Sequence, residues 1–244
     1  MICETEAELV AGLQASLEAV KSPQLSASVQ RRYVGSGDIA AVAALYVPEW
    51  AHLAKWKNAA DVYLRLAHGL DIPMRANMTR GLEQEAKLRQ LYRDTVGPVS
   101  DPPPSAIKHP TLAWAAASPD GLAEPGGVVE YKTYSSFQRG QWGEPGTDLV
   151  PDTYSLQVQW LLECTGRQWA HYLVSFGRDI PKAAGGGWAT EETAVYQVER
   201  SPELAARLVE YGQRFIDEHV KARRAPGMEP RHNKRAFRRL VENE

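Results

Sequence analysis

Cysteine is almost missing from this chain: Cys3 and Cys164 are the only two in 244 residues. They stand far apart and lack the paired spacing of zinc or iron–sulfur ligands, which excludes a metal centre built on thiolates. Long apolar runs are missing too, since none approaches the roughly 20 residues that a membrane-spanning helix needs. The opening MICETEAELV carries acids where a secretion signal needs basic residues. These absences predict a soluble cytoplasmic protein with no membrane partner. Charge of one sign is also lacking: 28 Lys and Arg face 30 Asp and Glu, a formal net charge of -2. Contact with a polyanion must therefore come from a local basic surface. With 43% apolar residues the chain is able to bury one sizeable core.

Turns and hydrophobic periods divide the chain. Thr5 and Glu8 have capping-box spacing ahead of Leu9, Leu13, Leu17 and Val20, which predicts a first helix. RRYVGSG leads into IAAVAAL, a glycine-bearing turn before a small-residue helix; its amino end is either an anion seat or a plain helix start. Residues 50–70 read as helical core. Over 79–92, TRGLEQEAKLRQLY has helical spacing with Leu82, Leu88, Leu91 and Tyr92 on its apolar side and Glu85 beside them, whereas Glu83 faces Lys87 one turn on.

The turn Ser118-Pro119-Asp120-Gly121 separates two expected strands of a hairpin. The second, GVVEYKT, places Val128, Glu130 and Lys132 on one face and Val129, Tyr131 and Thr133 on the other. Pro151 and Asp152 open a helix that ends at Gly166 and carries Tyr154, Gln157, Trp160, Leu161 and Cys164 on one side. QWAHYLVSF and TAVYQVER read as strands, and Ser201 caps a last long helix. From Lys221 to Arg239 eight Lys or Arg oppose one acid. The expected organisation is one domain over 1–224 and a basic, flexible tail over 225–244.

Asp120, Glu130 and Lys132 carry the chemistry. One hairpin brings two carboxylates and an amine together, and burying them is costly unless they compensate one another or bind a cation. Magnesium suits two carboxylates, the main-chain carbonyl of Tyr131 and a phosphate oxygen, with manganese as a substitute. Lys132 would then face the attacking water and the phosphate. Taken alone the spacing D-x9-E-x-K also fits an exposed ion pair beside a turn. The apolar strand around it, and Glu85 and Gln157 on partly apolar helix sides, favour the site.

RGLEQE, HP, SPDG, VVEYK and the segment from Pro151 to QVQW, in that order, resemble the motif series of the YqaJ-like viral recombinase and phage lambda exonuclease branch of PD-(D/E)xK nucleases. The resemblance covers about residues 30–220. It implies an α/β (α+β) fold, a central mixed β-sheet flanked by helices. It implies Glu85, Asp120 and Glu130 as Mg2+ ligands, Lys132 as catalytic lysine, Gln157 beside it, and Tyr154 packing nearby. It further implies digestion of double-stranded DNA ends in the 5′-to-3′ direction, a homotrimer around the DNA, a single-strand annealing protein as partner, and a bacterial host cell as setting. A pocket for the DNA 5′ phosphate would draw on Arg31, Arg32, Ser36 and Ser118; the family's serine aligns with Gly37 here, one place after Ser36. His109 is a structural residue on this reading, with metal ligation as the lesser alternative.

Three other readings explain less. Iron–sulfur nucleases need four cysteines. A non-catalytic DNA-end-binding protein predicts loss of a motif carboxylate or of the lysine, and all are present. A carboxylate glycosidase leaves Lys132 without a role.

Overall fold

The alternation in GVVEYKTYS becomes a nine-residue strand, Gly127–Ser135, whose two rows of side chains enter two separate cores in a computed structural model of the chain. Val128 joins the larger core; Val129 and Tyr131 join the smaller. The structure describes residues 33–72, 76–181, 183 and 186–241, so the helix expected over 5–20, together with Arg31 and Arg32, lies outside the described residues. In chain order the helices are α1 (Ile39–Ala43), α2 (Ala59–His68), α3 (Ala76–Thr95), α4 (Asp152–Thr165), α5 (Pro202–Phe215) and α6 (Lys234–Val241). The strands are β1 (Ile107–Lys108), β2 (Ala116–Ala117), β3 (Gly121–Ala123), β4 (Gly127–Ser135), β5 (Trp169–Asp179) and β6 (Trp188–Glu199).

The main sheet has the order β3-β4-β5-β6. β4 and β5 run parallel, and both outer pairs are antiparallel. A parallel pair needs a crossover, and α4 supplies it between β4 and β5. Leu156, Trp160 and Leu161 of α4 pack with Tyr172, Val174, Phe176 and Tyr196 on one face of the sheet. Leu88 and Tyr92 of α3 cover the other face against Val129, Tyr131 and Leu173. This mixed sheet flanked by helices is the architecture read from the sequence.

Three expectations change. The hairpin does not turn at Ser118–Gly121: β3 and β4 pair across Glu124-Pro125-Gly126, where Gly126 has φ +68, while β2 pairs instead with β1. Both tetrapeptides have turn chemistry, and long-range pairing decides between them. Within α3, Leu82 is 55% exposed and Gln84 is buried in its stead, because the buried stripe follows Gln84, Leu88 and Tyr92 at i,i+4 spacing.

The basic C-terminal segment also packs instead of hanging free. Asp61, buried on α2, accepts hydrogen bonds from the backbone N–H groups of Arg231 (3.1 Å) and His232 (2.7 Å). Asn58 donates to Glu229 O. α6 then seats Phe237 in the large core, and Glu229 takes up Lys234 and Arg238. Composition hides this, since the anchors are backbone N–H groups meeting an aspartate about 170 residues away.

Candidate active site

β3 is short and β4 is long, and the site forms where β3 stops. After the pair Gly121–Val129 the ladder ends. The next residue back, Asp120, continues it with its side chain: Oδ2 accepts the Tyr131 N–H at 2.9 Å. That fixes the Asp120 carboxylate against the free edge of β4. An extended residue points its N–H and C=O to the same side, so the Tyr131 carbonyl lies on that edge too.

Glu130 is 2% exposed. Its Oε2 accepts from Lys132 Nζ and from Gln157 Nε2, each at 2.8 Å. Its Oε1 is buried and has no hydrogen-bond partner. Lys132 lies under the faces of Tyr154 and Tyr172, 5.4 and 5.6 Å from the ring centroids. Tyr154 and Gln157 stand three residues apart on the first turns of α4, so they share the helix face that meets Glu130 and Lys132. Trp160, one further turn along, is fully buried and donates from Nε1 to Val34 O and Ala116 O, both at 3.2 Å. It thereby ties α4 to the two segments that carry Ser36 and Ser118. Gly166, at φ 69, ends the helix.

The third acid comes from the other face of the sheet. Glu85 on α3 is half-buried, and its pKa is pushed up to about 7, first by burial and then by the Asp120 charge, against the pull of Lys132 and Arg89. Glu130 is likewise pushed up to about 7 by burial and by Asp120. Burial raises Asp120 as well, with Lys132 opposing. Burial disfavours the Lys132 ammonium, but Glu130 and Asp120 outweigh it and raise the pKa. One ammonium thus faces three carboxylates, which is a deficit of positive charge.

Those features fit a divalent cation. The orphaned Glu130 Oε1 is a buried acceptor lacking a donor, and a cation satisfies it. Among the described residues no three His, Cys, Asp or Glu side chains already form a closed ligand set. Magnesium characteristically takes only one or two carboxylates and completes its shell with water and phosphate, a demand that Asp120 and Glu130 would meet.

Ser36 and Ser118 each follow a paired residue. A parallel bridge joins Val34 to Ala115, and both segments run on from it in the same direction to these half-buried serines. Asp38 precedes α1 without capping it by its side chain; its carboxylate accepts Gly35 N at 2.8 Å, Lys57 Nζ at 2.8 Å and Arg65 Nη2 at 2.6 Å. His109 is held by its own loop and by Glu163. Its Nδ1 accepts from the N–H groups of Thr111 and Leu112, so Nε2 carries the proton that faces Glu163 Oε1 at 3.3 Å. Sequence reasoning missed Arg89, Tyr134 and Tyr172. Tyr134 continues the i,i+2 row of Glu130 and Lys132, a signal that was present; Tyr172 is reached only through the register Glu130–Tyr172 of the parallel pair.

Comparison with known proteins agrees with the fold. The family profile of the YqaJ-like viral recombinase domain matches residues 27–168, more than half of the chain. Among solved structures, an alkaline exonuclease from Laribacter hongkongensis superposes with a TM-score of 0.59 at 22% identity, over 91% of this chain and 99% of that one. The same exonuclease in complex with dAMP gives 0.59 at 21% identity, with the same coverage. A phage-related exonuclease from Haemophilus somnus 129PT gives 0.54 at 11% identity, over 78% of this chain and 96% of that one. These likenesses establish a shared fold. No curated protein matches the chain.

Proposed function

The chain belongs to the YqaJ-like viral recombinase family, and on that footing we propose that it is a Mg2+-dependent exonuclease of double-stranded DNA that works 5′ to 3′ and leaves 3′ single-stranded overhangs. Family membership supports a nuclease role in recombination. The observation that carries the finer reading is the convergence of Asp120, Glu130 and Lys132 at the open edge of β4, with a buried Glu130 oxygen lacking a donor.

In this reading Glu85, Asp120, Glu130 and the Tyr131 carbonyl would hold the ion. A bound divalent ion supplies positive charge to the scissile phosphate and makes water a better nucleophile. Lys132 orients the attacking water and offsets the charge that develops on phosphorus substituents as the bond to the 3′ oxygen breaks. Gln157 fixes Glu130 through Oε2, which would leave Oε1 for the ion. Ser36 and Ser118, with Arg31 and Arg32, receive the phosphate at the DNA 5′ end, and Tyr154 lines the path to Lys132. A homotrimer around the duplex and a single-strand annealing protein as recipient of the 3′ strand complete the proposal. Manganese replaces magnesium.

Lys132→Ala tests the assignment. The variant is expected to bind duplex ends about as well as the parent and to cleave roughly 100- to 1,000-fold more slowly, the loss seen when a charge-stabilising donor is removed. Near-normal turnover would overturn it. Tight end binding without cleavage in the unsubstituted chain would point to an end-binding protein instead.

A further inference from the structure

Tyr134 ends the row that begins with Glu130 and Lys132 on β4, and its hydroxyl lies 2.5 Å from the hydroxyl of Tyr154. Tyr154 is the aromatic wall over Lys132 Nζ, yet it stands in the first turn of α4, where the Ncap residue is Pro151 and no side chain caps the helix. The sheet grips Tyr154 at both ends: Tyr172 OH donates to Tyr154 O at 3.0 Å, and Tyr134 meets the phenol. Trp142 stacks against the same ring, 5.5 Å between centroids and 24° between planes, and closes the side away from Lys132.

An ammonium has three donors. Glu130 takes one. The flanking ring faces hold the cation more weakly than a lone pair does, so the N–H groups facing them can exchange a ring for a stronger acceptor. Two donors stay available to a phosphate oxygen and a water, and the rings limit where they point.

We propose that Tyr134 is a positioning residue of the nuclease reaction: through the Tyr134–Tyr154 hydroxyl pair it holds the aromatic wall that aims the free N–H groups of Lys132. This rests on the function proposed above. Without the pair, the Tyr154 ring is free to tilt, water reaches Nζ, and the ammonium samples orientations that do not meet the substrate. Binding of the DNA end, which draws on phosphate contacts elsewhere, is left as it was. A phenol pair that merely satisfied two buried hydroxyls would affect stability and nothing else.

The test is a double-mutant cycle with Tyr134→Phe and Tyr154→Phe, read by single-turnover cleavage of a saturating end-labelled duplex, alongside end affinity and melting temperature for Tyr134→Phe. Each single change is expected to slow cleavage about 3- to 10-fold, the worth of one hydrogen bond. End affinity of Tyr134→Phe should stay within twofold, and the double variant should be no slower than the slower single one. Multiplicative losses in the double variant would overturn the proposal, as would an unchanged rate in Tyr134→Phe, whatever its melting temperature. If the unsubstituted chain fails to cleave, the nuclease reading falls and this inference with it; if it cleaves and the cycle fails, only this inference falls.

Discussion

Gln157 and Glu130 share a hydrogen bond of 2.8 Å to the same carboxylate oxygen that Lys132 holds, so one oxygen of Glu130 is fully committed and the other is left bare. That division of labour sets the carboxylate plane. Gln157→Ala removes a neutral donor to a charged acceptor, worth about 1.5–3 kcal/mol. Single-turnover cleavage should fall roughly 10- to 100-fold, with Gln157→Glu worse still because it adds a fourth carboxylate. Equal rates for Gln157→Ala and the parent would remove Gln157 from the site.

Glu85 and Glu130 titrate near 7, well above an ordinary glutamate. A carboxylate with a raised folded-state pKa favours folding below its unfolded pKa, and that advantage is lost as pH rises through the folded value. In chelator, the melting temperature should therefore drop between about pH 4.5 and pH 7–8. Added Mg2+ should restore it at pH 8 and do little at pH 5, where protons compete for the same oxygens. Glu130→Gln should flatten the chelator profile. A melting temperature that climbs from pH 5 to 8 without metal would contradict this assignment of charges.

Much of the site was legible because it follows local periods. Glu130 and Lys132 are two apart on a strand, Tyr154 and Gln157 three apart on a helix, and each spacing puts a pair on one face. What stayed hidden depends on pairing between distant segments. SPDG and EPGG are both good turns, and only the short reach of β3 makes Asp120 a side-chain extension of the ladder rather than a turn former. Asp38 stands just before α1, yet its partners Lys57 and Arg65 lie 19 and 27 residues away. His109 precedes a proline in a motif-like position, and its partners turn out to be its own loop and Glu163.

Asp38 is 7% exposed and joins two cations. Burial works against its charge, but Lys57 and Arg65 win and hold its pKa below the usual carboxylate value. Asp38→Ala strands two cations, a change that costs about 3–5 kcal/mol in a fully buried pair. Because Lys57 keeps 26% of its side chain exposed, roughly 2–4 kcal/mol is expected by urea unfolding. In the parent this contribution is present above the unfolded pKa and fades as pH falls below it. A loss under 0.5 kcal/mol would mean that Asp38 is not a structural anchor.

Asp61 holds the returning C-terminal segment through Arg231 N and His232 N. Asp61→Ala should free residues 229–241, seen as rapid hydrogen exchange and early tryptic cleavage at Arg231 or Lys234, with a cost of about 3 kcal/mol. Cleavage no faster than in the parent would show that Phe237 alone suffices to dock α6.

The central claim is met most directly by incubating the chain with linear duplex DNA labelled separately at its 5′ and 3′ ends, with Mg2+ or with chelator, and with closed circles alongside. The account predicts Mg2+-dependent release of the 5′ label first, a 3′ label retained on long single strands, and intact circles. Cleavage of circles, release from the 3′ end first, or equal digestion in chelator would contradict it.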